Sequence, residues 1–180
     1  MTTSEILELI SVLLVLLATI PYVWAIVRMR TRPPRSTWIV WTVLSVLIIA
    51  AGDWSWQMLS ILLVDVAILG FAFWYGEGAV WTKTDIASLV LAGFSISLWQ
   101  MSGSAAWGLT FMLIAACVSS IPTFKVVRQY PKKEWWLPWA GMMLSSILKL
   151  VSLTDWTYTA AAQPIVYVAI PLIVIYLIFR

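Results

Sequence analysis

The sequence contains no histidine, one cysteine and few charges. Without histidine, and with Cys117 as the sole thiol, a zinc or haem site has almost nothing to be built from. A single cysteine also excludes any disulfide within the chain. Charged residues make up 11% of the 180 positions, against about 25% in an average soluble domain. Hydrophobic residues reach 62%, and the mean hydropathy is +0.95. Most of this surface therefore expects lipid as its solvent, which excludes a soluble function. No nucleophile and base at a usable spacing, no phosphate-binding loop and no metal cluster can be read along the chain, so an enzyme is not expected and neither is a cofactor. The net charge of +3 comes from residues gathered in two short loops, where membrane topology accounts for it and nucleic acid need not be invoked.

What the chain does have is an internal duplication. Residues 20–41, IPYVWAIVRMRTRPPRSTWIVW, join a proline within an apolar helix to a basic loop and a second apolar helix. A degraded copy, IPTFKVVRQYPKKEWWLPWA, occupies 121–140. Pro21 is followed by Arg28, Arg30, Arg32 and Arg35, and Pro122 by Lys125, Arg128, Lys132 and Lys133. The offset of 101 continues outward, placing Trp38 on Trp139 and Ser45 on Ser146. With one inserted residue, Asp53-Trp54 falls on Asp155-Trp156.

Seven helices are predicted, over 6–27, 36–52, 54–75, 85–101, 104–127, 135–153 and 159–178, the second and fourth being short. Each spans or nearly spans a hydrocarbon core of about 30 Å at about 1.5 Å per residue. The first starts with Glu5 and Glu8 and ends at the positive cluster, the reverse of a signal peptide, so a retained span is expected. Trp38, Trp54, Trp56, Trp74, Trp81, Trp107, Trp135 and Trp156 near helix ends read as the ordinary aromatic belt. Both basic loops, and the loop with Glu77 and Lys83, belong inside. Parity then requires the fourth helix to cross. The expected protein is an all-α integral membrane protein with its N-terminus outside and its C-terminus inside. A first three-helix repeat (1–82) and a second (104–180) run parallel, joined by a linker helix (83–103). Parallel repeats of this kind are a transporter architecture, with the site between them near the midplane.

A proline late in the first helix followed by a basic loop resembles the PQ-loop and SWEET group, which has the same three-plus-one-plus-three plan. Pro21-Tyr22 stands where that group has Pro-Gln or Pro-Thr, and Pro122-Thr123-Phe124 is closer to the SWEET form. Pro138 resembles another of its cytoplasmic-side prolines, while its mate in the other repeat is Thr37. The TRPPRSTW and IPTFK runs also resemble small bacterial membrane proteins of the same superfamily, which implies a bacterial cytoplasmic membrane. The resemblance covers nearly the whole chain. SWEET sugar carriers use an asparagine pair on helices three and seven; this chain has no asparagine, and the matching neighbourhood offers Asp65 and Tyr167. A sugar is therefore not the expected solute.

Asp65 lies midway between Trp56 and Trp74, where a charge costs at least about 2.5–3.5 kcal/mol. A solute or proton site gives such a residue a reason, and a hydrogen bond to Tyr167 serving helix packing gives it another. Gln163 and Tyr167 share one face of helix seven, for binding or for interhelical packing. Lys149, four residues before Leu153, either snorkels toward headgroups or Asp155, or enters the cavity. Ser146, with Ser145 and Ser152, lies near it, but a serine in a span more often bonds its own backbone. Pro21 and Pro122 bend matched helices; with Pro138 they are candidate gate hinges, and the other reading is a static kink that lets helices splay.

The expected function is alternating-access transport of a small polar or amphipathic solute, with a proton as candidate coupling ion. The alternative is a non-transporting seven-helix receptor or a lipid-interacting scaffold. A retinal protein is set aside, because the seventh helix has no lysine for a Schiff base. Expected partners are membrane lipids, the solute and a second copy of the chain.

Overall fold

A computed structural model describes residues 2–33, 35–50, 52–76 and 81–180. The expected inner-loop residue Glu77 lies outside them. The described chain is all-helical, with α1 (Thr3–Val27), α2 (Arg35–Ala50), α3 (Trp56–Tyr75), α4 (Lys83–Ser102), α5 (Ala105–Gln129), α6 (Trp136–Ser152) and α7 (Tyr158–Phe179). A short 3-10 turn, Pro131–Lys133, precedes α6. Four helices, α1, α3, α5 and α7, are long and apolar enough to cross a membrane, and α2 is a shorter apolar helix.

Local chemistry sets the ends. Thr2 and Glu5 form a reciprocal capping box on α1, and Ser55 and Thr157 cap α3 and α7 through their hydroxyls. Thr82 and Asp85 build a second capping box, which starts α4 at Lys83; Gly103, in the left-handed region at φ 62°, stops it. The fourth helix is therefore 20 residues long rather than short. Arg35 holds the other end of α3: its guanidinium donates to the carbonyls of Ala72 (3.0 Å) and Phe73 (2.8 Å) in the last turn, where the Ala72 oxygen also accepts from the Gly76 N–H. That gives one basic-loop arginine a structural task.

In the packing, α3 sits between α1 and α2, and α7 between α5 and α6. The two groups meet where α1 touches α6 and where α2 touches α5, while α4 lies against α5 and α2. The α1–α6 seam is antiparallel and polar at one end. Ser4 Oγ donates to the Ser152 carbonyl (2.7 Å), Lys149 Nζ lies 3.1 Å from Glu8 Oε1, and Ser11 Oγ meets Ser145 Oγ (2.9 Å). Gln57 Nε2 of α3 donates to the same Ser145 hydroxyl at 3.0 Å. Farther along, Gly141 packs on Ala18 so closely that a side chain at 141 would collide with it. Small residues of this kind let helix backbones approach.

The distribution of polarity is inverted relative to a soluble bundle. Leu9, Leu13, Leu17, Ile20 and Trp24 form an exposed stripe along α1, and large apolar side chains are exposed on the other helices too. Ser11, Ser45, Gln57, Asp65, Ser145 and Gln163 are buried. A soluble fold would place these two sets the other way round.

Candidate functional site

A cavity of about 620 Å³ opens at the end of the bundle that carries the basic loops. Arg30 and Arg32 from the loop after α1, with Tyr130 and Glu134 before α6, form its mouth. Inside, α1 contributes Tyr22; α2 contributes Thr37, Trp38 and Trp41; and α3 contributes Asp65. Opposite them stand Pro122 and Thr123 of α5, Trp139 and Met142 of α6, and Tyr167, Ile170 and Pro171 of α7. No residue of α4 forms part of this wall. A recess of about 40 Å³ continues past Tyr22, Trp38, Asp65 and Trp139 toward Thr19 and Pro138. Away from the mouth, the α1–α6 seam holds the bundle together through its polar pairs.

Asp65 is at the deep end, 3% exposed, and its Oδ2 accepts a hydrogen bond from Ser45 Oγ at 2.5 Å. Ser45 is its one hydrogen-bond partner among the described residues, and no described basic side chain pairs with it. Tyr167 is also 3% exposed. Its hydroxyl has no hydrogen-bond partner of adequate geometry, although Ser45 and Asp65 are close enough to influence it electrostatically. The Asp65–Tyr167 bond, the packing alternative for this acid, does not form. The Tyr167 ring meets Trp41 edge-on at 5.9 Å, and Tyr22 packs against Trp38 at 6.0 Å. Pro171 has no N–H, so the Tyr167 carbonyl lacks its donor one turn on.

The residues expected at the site divide. Asp65 and Tyr167 share the cavity, and Pro122 lines its wall. Gln163 is buried one turn from Tyr167 with its Nε2 unpartnered, and it lines neither the cavity nor the recess. Ser146 is buried away from both. Lys149 stands in the α1–α6 seam, and its partner is Glu8 rather than Asp155 or the cavity. Pro21 and Pro122 lie inside their helices, whereas Pro138 is the third residue of α6, where no helical hydrogen bond is lost.

Trp38, Trp41, Trp139, Glu134 and Pro171 were not foreseen as wall residues. The signal for one pair was present, since Trp38 and Trp139 are mates at the 101 offset, as are Tyr22 and Thr123. Glu134 at the mouth accepts from Trp139 Nε1 at 3.0 Å. Partial burial pushes its carboxyl above the usual value, opposed by the bonds from Trp139 and the Trp135 backbone.

Among the described residues, no group of three acidic, cysteine or histidine side chains is placed to hold a metal. Comparison of the chain with protein-family models, curated proteins and solved structures finds no match.

Proposed function

We propose that this chain is a membrane carrier that moves a small polar or amphipathic solute by alternating access, with the proton as coupling ion at Asp65. Its plan is that of the SWEET-like group: seven spans, in parallel repeats 1–82 and 104–180 joined by α4.

Four features support the repeat. Helix lengths pair across it, with 25 and 25 residues in α1 and α5, 16 and 17 in α2 and α6, and 20 and 22 in α3 and α7. Each half has its third helix between the other two. The contacts of α1 with α6 and of α2 with α5 are mates under the duplication. Three mate pairs, Tyr22 with Thr123, Trp38 with Trp139 and Asp65 with Tyr167, face one cavity. The apolar exterior and polar interior support lipid as solvent. The basic loops at the mouth support a cytoplasmic opening, in a bacterial inner membrane with the N-terminus outside. At 20 residues, or about 30 Å, α4 is long enough for the crossing that parity requires, with Lys83 and Asp85 at its interfacial start.

The observation that carries the reading is the cavity itself. It lies between the two three-helix groups, opens at one end and has a lone buried acid at its floor. A proton and a solute can alternate at such a group as the repeats rock. The test is to identify a co-purifying small molecule by native mass spectrometry and measure its counterflow in proteoliposomes. Counterflow that is lost in Asp65→Leu supports a carrier. Ligand binding without flux in the folded wild type contradicts transport and supports a receptor.

A further inference from the structure

We infer that the cavity takes an organic cation with an apolar body, its ammonium group seated at Asp65. This rests on the cavity being a solute site, and it goes further by naming the class of solute.

The acid and its surroundings carry the argument. Asp65 is almost wholly buried in the cavity wall and receives one hydroxyl bond, with no described basic side chain as counter-ion. A cation entering the cavity supplies the missing charge partner. Above the acid the wall is aromatic, with Tyr22 against Trp38, Trp41 edge-on to Tyr167, and Trp139 across from them. Ring faces attract cations, and more strongly where water is excluded. The buried Tyr167 hydroxyl has no partner and is free to accept from an ammonium N–H.

The same wall suits other solutes poorly. A polyol needs a polar partner for most of its hydroxyls, since each one buried without a partner loses affinity. The wall offers it Asp65 and the hydroxyls of Tyr22, Thr37, Thr123 and Tyr167, set among Trp38, Trp41, Met142, Ile170 and Pro171, whose surfaces carry no oxygen for a sugar hydroxyl. An anion meets Asp65 first. Arg30 and Arg32 do not reverse that preference. They sit in solvent at the mouth, and Asp65 lies ten residues, or about 15 Å of helix, from the end of α3 at Tyr75.

Three phenyl-bearing probes of similar shape isolate charge: 2-phenylethylamine (cation), 2-phenylethanol (neutral) and phenylalanine (zwitterion). Glucose represents polyols. Binding is measured by calorimetry on the full chain in nanodiscs, with empty nanodiscs as control. The amine should bind at least about tenfold more tightly than any other probe, and Asp65→Asn should remove that preference. Tyr167→Phe, which keeps the ring packing, should weaken amine binding several-fold. Equal or tighter binding of alcohol, zwitterion or glucose overturns the inference, as does an amine preference that survives Asp65→Asn, or no amine binding to folded wild type. Uptake in proteoliposomes separates the two levels of the account. Amine bound but never carried leaves the cation site standing and removes the carrier; glucose carried with no amine bound does the reverse.

Discussion

Lys149 Nζ lies 3.1 Å from Glu8 Oε1, joining α6 to α1 across 141 residues of sequence. The pair stands between the Ser4–Ser152 and Ser11–Ser145 contacts, in the seam that holds the bundle together away from the cavity mouth. In a rocking carrier this seam must part for the cavity to open at the opposite end, so its strength sets the balance between the two states.

The pair should therefore bias conformation more than it secures the fold. Both side chains are partly exposed, at 16% and 28%, which limits their coupling to about 0.5–1 kcal/mol in a double-mutant cycle. Lys149→Met should raise reactivity toward an impermeant thiol reagent of a cysteine placed at Ser11, with Cys117 replaced by alanine. The reversed pair, Glu8→Lys with Lys149→Glu, should restore protection. Unchanged labelling in Lys149→Met would show that the seam does not gate.

For Asp65, the prediction turns on the Ser45 bond, which an amide can still accept. Asp65→Asn should fold but lose any pH dependence of solute binding, and Asp65→Leu should lose binding by at least about tenfold, or about 1.4 kcal/mol. Binding curves at several pH values check it. Wild-type behaviour in Asp65→Leu would assign this acid to helix packing.

The three prolines should not behave alike. Pro21→Ala and Pro122→Ala restore a helical donor at matched interior positions and should slow exchange between the two open forms by about tenfold, or about 1.4 kcal/mol of barrier. Pro138→Ala, in the first turn of α6, should change it little. Equal effects at all three positions would contradict the hinge assignment.

Much of the fold was legible in the sequence because apolar length and turn chemistry are local. All seven helices lie close to their predicted places. The miss at α4 came from the Thr82–Asp85 capping box, which carries the helix back to Lys83 across polar residues that hydropathy leaves out. The site was less legible. Asp65 stands out because an acid within a span is rare. Trp38 reads as interfacial belt and Trp139 only as its mate in the duplication, since a tryptophan at a helix end looks the same whether it faces headgroups or a cavity. No local signal links Lys149 to Glu8; that pairing depends on the order in which helices pack.

Glu134 gives a pH dependence outside the spans. Its carboxyl titrates above the usual value in the folded protein, so the folded state holds the proton more tightly than the unfolded chain. Stability from this group is fully present below the usual carboxylate pKa and is lost as pH rises through the raised folded value. Glu134→Gln should flatten that slope in chemical denaturation at a series of pH values. An unchanged slope would remove Glu134 as its source.

Alternating access is the central claim, and distances at the two ends of the bundle test it directly. With Cys117 replaced by alanine, one spin-label pair is placed at Met29 and Lys132 across the mouth, and another at Thr2 and Thr154 beside the α1–α6 seam. Double electron–electron resonance in liposomes should give two populations at each end, moving in opposite directions as pH or 2-phenylethylamine is varied. A single unchanging distance at both ends under every condition would contradict the account.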